Sequence, residues 1–229
     1  MNKPRNVAQQ AVSAADATRT SLVMAALSLF GRQGFDGTST RQIAAAANAN
    51  IGSIAYHFGS KEGLRLAAVD YIVDTIQAVA AQALGSTTLS QPDPASPAEA
   101  EAQIEAAVER MAGFMIARPE AGEIVQFVLR ELSTPTDALD RIYSGVFEPV
   151  HRRLCRLWAA STGETAESEH TRITVFMMIG QVVYFRIARA AVVRRMGWPD
   201  IGPAEAAKVI AIAKENVAAI IAARKAGKP

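Results

Sequence analysis

Between Thr38 and Lys61 the chain reads TSTRQIAAAANANIGSIAYHFGSK, a run of hydrogen-bonding side chains without one acidic residue. The hydroxyls of Thr40, Ser53 and Tyr56, the guanidinium of Arg41, the amide of Asn50, the imidazole of His57 and the ammonium of Lys61 can all donate to phosphate oxygens. Gly52 lets a backbone approach closely. Ile51 offers an apolar surface that can either touch a thymine methyl or pack internally.

Such donors are useful only on an exposed element held from behind. Thr38, Ser39 and Thr40 are suited to N-capping a helix, and Gln42, three residues after Ser39, completes a capping-box pattern. Ile43, Ala44 and Ala47 then share one helical face. Asn48-Ala49-Asn50 breaks that helix, since asparagine tolerates left-handed angles, and Asn50 can cap the next one. The second helix buries Ile54 and Phe58 at i and i+4 and is too short to stand alone. Two short helices joined by a tight turn are the helix-turn-helix arrangement, whose second helix enters the major groove. An ordinary helical hairpin in an all-α core would show the same spacing.

Many further landmarks sit in register around this stretch: Thr18-Arg19, Ala25-Ala26, Leu29-Phe30, Gly34-Phe35, Tyr56-His57-Phe58 and Lys61-Glu62-Gly63-Leu64. From Thr18 to Leu66 the chain resembles the TetR family of transcriptional regulators. The resemblance implies that Thr40, Ser53, Tyr56, His57 and Lys61 contact DNA. Ile51 and Ala55 depart from it, standing where many members carry a polar residue and an aromatic one. A looser resemblance over Pro119 to Trp158, carried by Arg130-Glu131, a proline turn and a proline-containing helix, points to the C-terminal domain of the CerR/YbiH-like type within that family.

Bulk properties agree with a DNA-binding head on a separate body. The 229 residues are half apolar and carry a net charge of only +2. Residues 1–66 hold seven Lys/Arg against three Asp/Glu, whereas the rest holds 17 against 19. Cys155 is the sole cysteine, which excludes an intrachain disulfide; among Leu154, Leu157 and Trp158 it reads as a small buried hydrophobe. No secretory signal and no apolar span of membrane length stands out, so a cytoplasmic protein without membrane contact is expected. No Gly-rich phosphate loop, GxSxG or HExxH motif occurs, so catalytic residues, cofactors and metals are not expected.

The expected fold is all-α: an N-terminal three-helix helix-turn-helix head followed by a C-terminal helical bundle for ligand binding and dimerisation. Residues 1–15 read as a flexible arm, 16–66 as the DNA-binding domain and 67–229 as the effector-binding and dimerisation domain. A connector helix is expected from Lys61 to about Leu84, and a proline-rich loop from Gly85 to Pro97. Helices are then expected over Pro97–Ala117, Glu120–Leu132, Thr136–Ser161 with a break at Pro149, Glu167–Met196 and Pro203–Ala223. The helix from Glu167 is apolar on more than one face and the last is rich in Ile, Val and Ala, so a homodimer through these two helices is expected. It would place two heads on a palindromic double-stranded operator.

The family resemblance implies a small-molecule effector, and Met and aromatic side chains suit varied apolar ligands. Candidate ligand-binding residues are Met111, Phe114, Phe127, Arg130, Phe147, His151, Met177, Gln181 and Tyr184, all of which could equally be plain core or surface. The function expected is a ligand-responsive DNA-binding regulator, most simply a repressor released by its effector. A helical adaptor without a DNA role is the alternative.

Overall fold

A computed structural model describes residues 4–83, 93–118 and 120–227. Their regular structure is entirely helical: α1 (Pro4–Gln33), α2 (Thr40–Ala46), α3 (Gly52–Phe58), α4 (Lys61–Ala83), α5 (Pro97–Ala117), α6 (Glu120–Ser133), α7 (Asp137–Ile142), a π-helical turn (Tyr143–Phe147), α8 (Glu148–Thr162), α9 (Glu169–Ile187), α10 (Arg189–Met196) and α11 (Pro203–Ala226). Residues 1–3 of the expected arm, and Leu84 with most of the Gly85–Pro97 loop, lie outside the described residues. The remainder of the arm differs from expectation, because α1 begins at Pro4 and not near Asp16.

The helices form two compact units, residues 1–73 with 123–142, and residues 74–122 with 143–229. The division departs from a single cut near residue 66: nearly all of α6 and all of α7, expected in the body, pack with the head. The physical reason lies in the side chains that join them to α1 and α4. Gly31 of α1 backs directly onto α6, and a Cβ there would stand 3.1 Å from the Phe127 nitrogen. Arg130 on α6 donates from Nε to the Gly31 carbonyl (3.2 Å) and from Nη2 to that of Arg32 (3.1 Å). Arg32 in turn pairs with Glu123 at 2.8 Å. Arg65 on α4 pairs with Asp137 and donates to Thr136 Oγ1 at 3.2 Å, and Arg141 meets Asp70 at 2.6 Å.

These contacts account for the C-terminus of α1, where carbonyls lack intrahelical donors. Gly34, at φ +79°, donates to Phe30 O, and the buried Thr38 donates through Oγ1 to Gly34 O at 2.7 Å. The cationic Arg130 serves Gly31 and Arg32, where the helix dipole also favours positive charge. Leu22, Val23, Ala26, Leu27 and Phe30 of α1 are buried, as are Ile43, Ile54, Leu64, Ala68, Ile72, Ile124, Phe127 and Ile142 in the same unit.

In the second unit Ile104, Val108, Ala112 and Ile116 recur every four residues along α5 and meet Cys155, Leu157 and Trp158 of α8, Val175, Met178 and Val182 of α9, and Val209, Ala213, Val217 and Ile221 of α11. Trp158 satisfies its buried indole by donating to Glu164 Oε2 at 2.7 Å. Two expected helices are divided. The Thr136–Ser161 segment breaks at the π-helical turn ahead of Pro149. Proline has no N–H for the carbonyl four residues earlier, that of Gly145. The Gln77 side chain, from α4, donates to that carbonyl at 2.7 Å instead. The Glu167–Met196 segment bends by 77° between α9 and α10. Arg189 anchors the turned piece through Asp200 (2.6 Å) and the Ile201 carbonyl (3.1 Å).

Candidate nucleic-acid interface

The turn between α2 and α3 is built by local hydrogen bonds. Of the three hydroxyl residues ahead of α2, Ser39 is the cap: its Oγ accepts from Gln42 N (3.2 Å), and the Gln42 side chain accepts from Ser39 N at 2.7 Å. Thr38 instead ties off α1, and Thr40 opens the helix, half-buried. Asn48 takes φ +50°, the left-handed value expected of an asparagine at this break. Asn50 Oδ1 accepts from Gly52 N at 2.8 Å, and Asn50 O from Ser53 N at 2.9 Å, which starts α3. Ser60 then caps α4 by accepting from Gly63 N at 3.1 Å.

Ile54 is the buried anchor of α3, and Phe58 is half-buried under Arg19 of α1, whose guanidinium lies 5.4 Å from the ring centroid. The opposite face is open. Tyr56 is 82% exposed and stands edge-on to His57, with 4.8 Å between ring centroids. Arg41, Asn50, Ile51, Gly52 and Ala55 are exposed; Ser53 and His57 are half-buried. Lys61 is placed differently from a free surface cation: its ammonium lies 4.2 Å from the centroid of the Phe35 ring, which Arg65 also overlies at 4.9 Å. The helix therefore presents Gly52, Ala55 and Tyr56 outward on a braced turn, with exposed Ile51 just ahead, half-buried Ser53 and His57 on the flank, and no carboxylate among them.

Two family models match the chain. One, described as bacterial regulatory proteins of the tetR family, covers residues 22–68. The other, the C-terminal domain of the HTH-type transcriptional dual regulator CecR, covers residues 100–224. CecR of Shigella flexneri is 33% identical over 186 residues, which span 79% of this chain and 80% of CecR. The chain belongs to the TetR family of transcriptional regulators. The second model extends well beyond the Pro119–Trp158 stretch that carried the subgroup resemblance. Among solved structures, a TetR-like regulator from Rhodococcus sp. RHA1 superposes with a TM-score of 0.61 at 18% identity, covering 88% of this chain and 96% of that one. AibR in complex with isovaleryl coenzyme A and operator DNA superposes with a TM-score of 0.57 at 17% identity, covering 74% and 86%. Both share the TetR-family fold.

Within that fold the nine candidate ligand residues are divided between the two units. Phe127 and Arg130 belong to the first unit and the other seven to the second. Arg130 is the clamp on α1 described above, so its guanidinium already has partners. Met177 is 71% exposed and Tyr184 is also exposed, on the face of α9 opposite the buried Thr171, Val175, Met178 and Val182. Gln181 Oε1 accepts from Asn216 Nδ2 at 3.2 Å, which links α9 to α11. His151 stacks on Phe176 with 4.0 Å between centroids, and its Nε2 lies 3.1 Å from the Arg172 carbonyl. Met111 packs partly buried against the core beside α5's apolar row, while Phe114 and Phe147 are half-buried.

No group of three or more His, Cys, Asp or Glu able to hold a metal occurs among the described residues. No single helix there is long and apolar enough to cross a membrane. Cys155 is buried, and burial pushes its thiol up to about 11, so it is no nucleophile at neutral pH. Sequence reasoning missed Arg19, Gln77 and the clamp role of Arg130. Only Gln77 had a local signal: Pro149, inside the expected Thr136–Ser161 helix, strips the Gly145 carbonyl of its donor, and something must replace it.

Proposed function

We propose that the protein works as a homodimer that sets two α3 helices into successive major grooves of a palindromic operator and represses transcription until a small molecule releases it. The carrying observation is the open face of α3 around Tyr56, held out by capped turns and by Ile54 behind it. Arg41, Ser53, Tyr56, His57 and Lys61 supply phosphate contacts, and Thr40 and Asn50 flank them.

The dimer face in this reading is the outer side of α9, where Ile173, Phe176, Met177, Tyr184 and Ile187 are exposed, joined by Ile212 and Ile220 of α11. Exposed apolar residues at helical spacing on two neighbouring helices suit an isologous four-helix contact with a second copy. The effector enters the second unit near Met111, Phe114 and Phe147. It displaces α4, of which Asp74–Ala83 belongs to that unit and Lys61–Val73 to the first. Ligand and operator then compete with a coupling of about 1–3 kcal/mol. AibR, solved with isovaleryl coenzyme A and operator DNA, supports the coarser reading of a ligand-responsive DNA-binding regulator. Such a protein acts in the cytoplasm, where its DNA is.

Footprinting on the DNA upstream of its own gene tests the reading. A protected palindrome, lost on adding a compound from a metabolite screen, is the expected result. An unprotected fragment at low salt rejects it.

A further inference from the structure

Resting on the DNA-binding reading above, we infer that Ile51 reads a thymine of the operator through its 5-methyl group, with Ala55 beside it. The residues that α3 turns outward are Ile51, Gly52, Ala55 and Tyr56. Ile51 and Ala55 are four apart and so share one face, and Ile51 is 49% exposed even though isoleucine gains from burial.

The helix itself, GSIAYHF, contains no Arg, Lys, Asn or Gln. The bidentate pairs that read guanine or adenine in the major groove require those side chains. Asn50, just ahead of the helix, has its side-chain oxygen occupied by Gly52 N at 2.8 Å. Ser53 and His57 lie half-buried on the flank and can make single hydrogen bonds, which discriminate less between bases. The Tyr56 hydroxyl is given to phosphate in the reading above, and apolar contact with the thymine methyl is the direct readout that Ile51 and Ala55 can supply. Ile51 and Ala55 are about 6 Å apart along the helix axis, close to two base steps of about 3.4 Å. The half-site recognised by this face therefore carries thymine opposite Ile51, and a second thymine about two steps away has room against Ala55.

The test uses the full-length protein and a duplex it selects from a random pool at low salt. Each thymine of the selected half-site is replaced by uracil, which removes the methyl and keeps every hydrogen-bonding group. One position per half-site should lower affinity about fourfold, and about fifteenfold when both half-sites are replaced. Ile51→Ser should bind the thymine and uracil duplexes alike, Ile51→Val should restore most of the difference, and Ser53→Ala should leave the wild-type ratio intact. Uracil duplexes that bind as well as thymine ones overturn the inference, as does an Ile51→Ser protein that keeps the ratio. In both cases the DNA-binding reading stands, because the unmodified duplex still binds. A pool from which the protein enriches nothing defeats both.

Discussion

Replacing Arg130 by Met removes the guanidinium and keeps most of the aliphatic stem, so the loss is confined to two hydrogen bonds. The Gly31 and Arg32 carbonyls, at 3.2 and 3.1 Å from their donors, then end α1 without a protein partner. A hydrogen bond from a charged donor is worth about 1.5–3 kcal/mol when buried. Arg130 is exposed and water can take its place, so the pair together should cost about 1–2 kcal/mol. For a chain of this length each kcal/mol lowers Tm by about 2–4 °C. Arg130→Met should therefore melt about 2–8 °C below wild type in circular dichroism at matched protein concentration. Arg130→Lys, with a single ammonium in place of two diverging donors, should recover part of the loss. Gly34→Ala should cost more in the wild type than in Arg130→Met, because its Cβ would come within 2.9 Å of Arg130 Nη1. An Arg130→Met protein that melts with the wild type but responds differently to effector would refute the clamp and restore Arg130 to the ligand site.

Gln77→Ala should cost about 1–2 kcal/mol by leaving Gly145 O unpaired, and much less in a Pro149→Ala background where a backbone N–H returns; additive urea unfolding energies would contradict this. Lys61→Ala should weaken operator binding about tenfold and lower the slope of log K against log salt, measured by fluorescence anisotropy; an unaltered slope removes Lys61 from the phosphate contacts. Met177→Glu should yield a folded monomer by analytical ultracentrifugation with much reduced operator affinity, since a side chain 71% exposed is not needed by the core. The Cys155 thiol, raised from 9.0 to about 11 chiefly by burial, stays protonated in the fold while the unfolded chain ionises. Its contribution is complete below pH 9 and falls away as pH climbs from about 9 to 11, by roughly 2 kcal/mol. Thiol reagents at pH 8 should accordingly react only after denaturation.

The helix-turn-helix was legible because its signals are local. Ser39 and Gln42 are three residues apart, Asn48 needs only its own backbone, and Ile54 and Phe58 show their period within one turn. The all-α class and the limits of α5, Pro97–Ala117, followed from apolar residues at helical spacing for the same reason. What stayed hidden depends on distant partners. Nothing near Arg130 says that it serves carbonyls almost a hundred residues earlier, and Glu131 beside it turns instead to Thr136, at 2.6 Å. Met177 and Tyr184 have the composition of pocket residues, and only the burial of Val175, Met178 and Val182 shows that they face the other way. The 77° bend after Ile187 likewise depends on Asp200 holding Arg189.

The packing of residues 123–142 against α1 and α4 limits how operator preference can be moved between relatives. A graft cut after Leu66 or Val73 would arrive without the α6 backbone that fits Gly31. Arg32, Arg65 and Asp70 would face whatever the recipient supplies in place of Glu123, Asp137 and Arg141. Chimeras spliced at that point should therefore be poorly expressed even when both parents are sturdy. Retargeting is better achieved by exchanging the few outward side chains of α3, none of which the core requires.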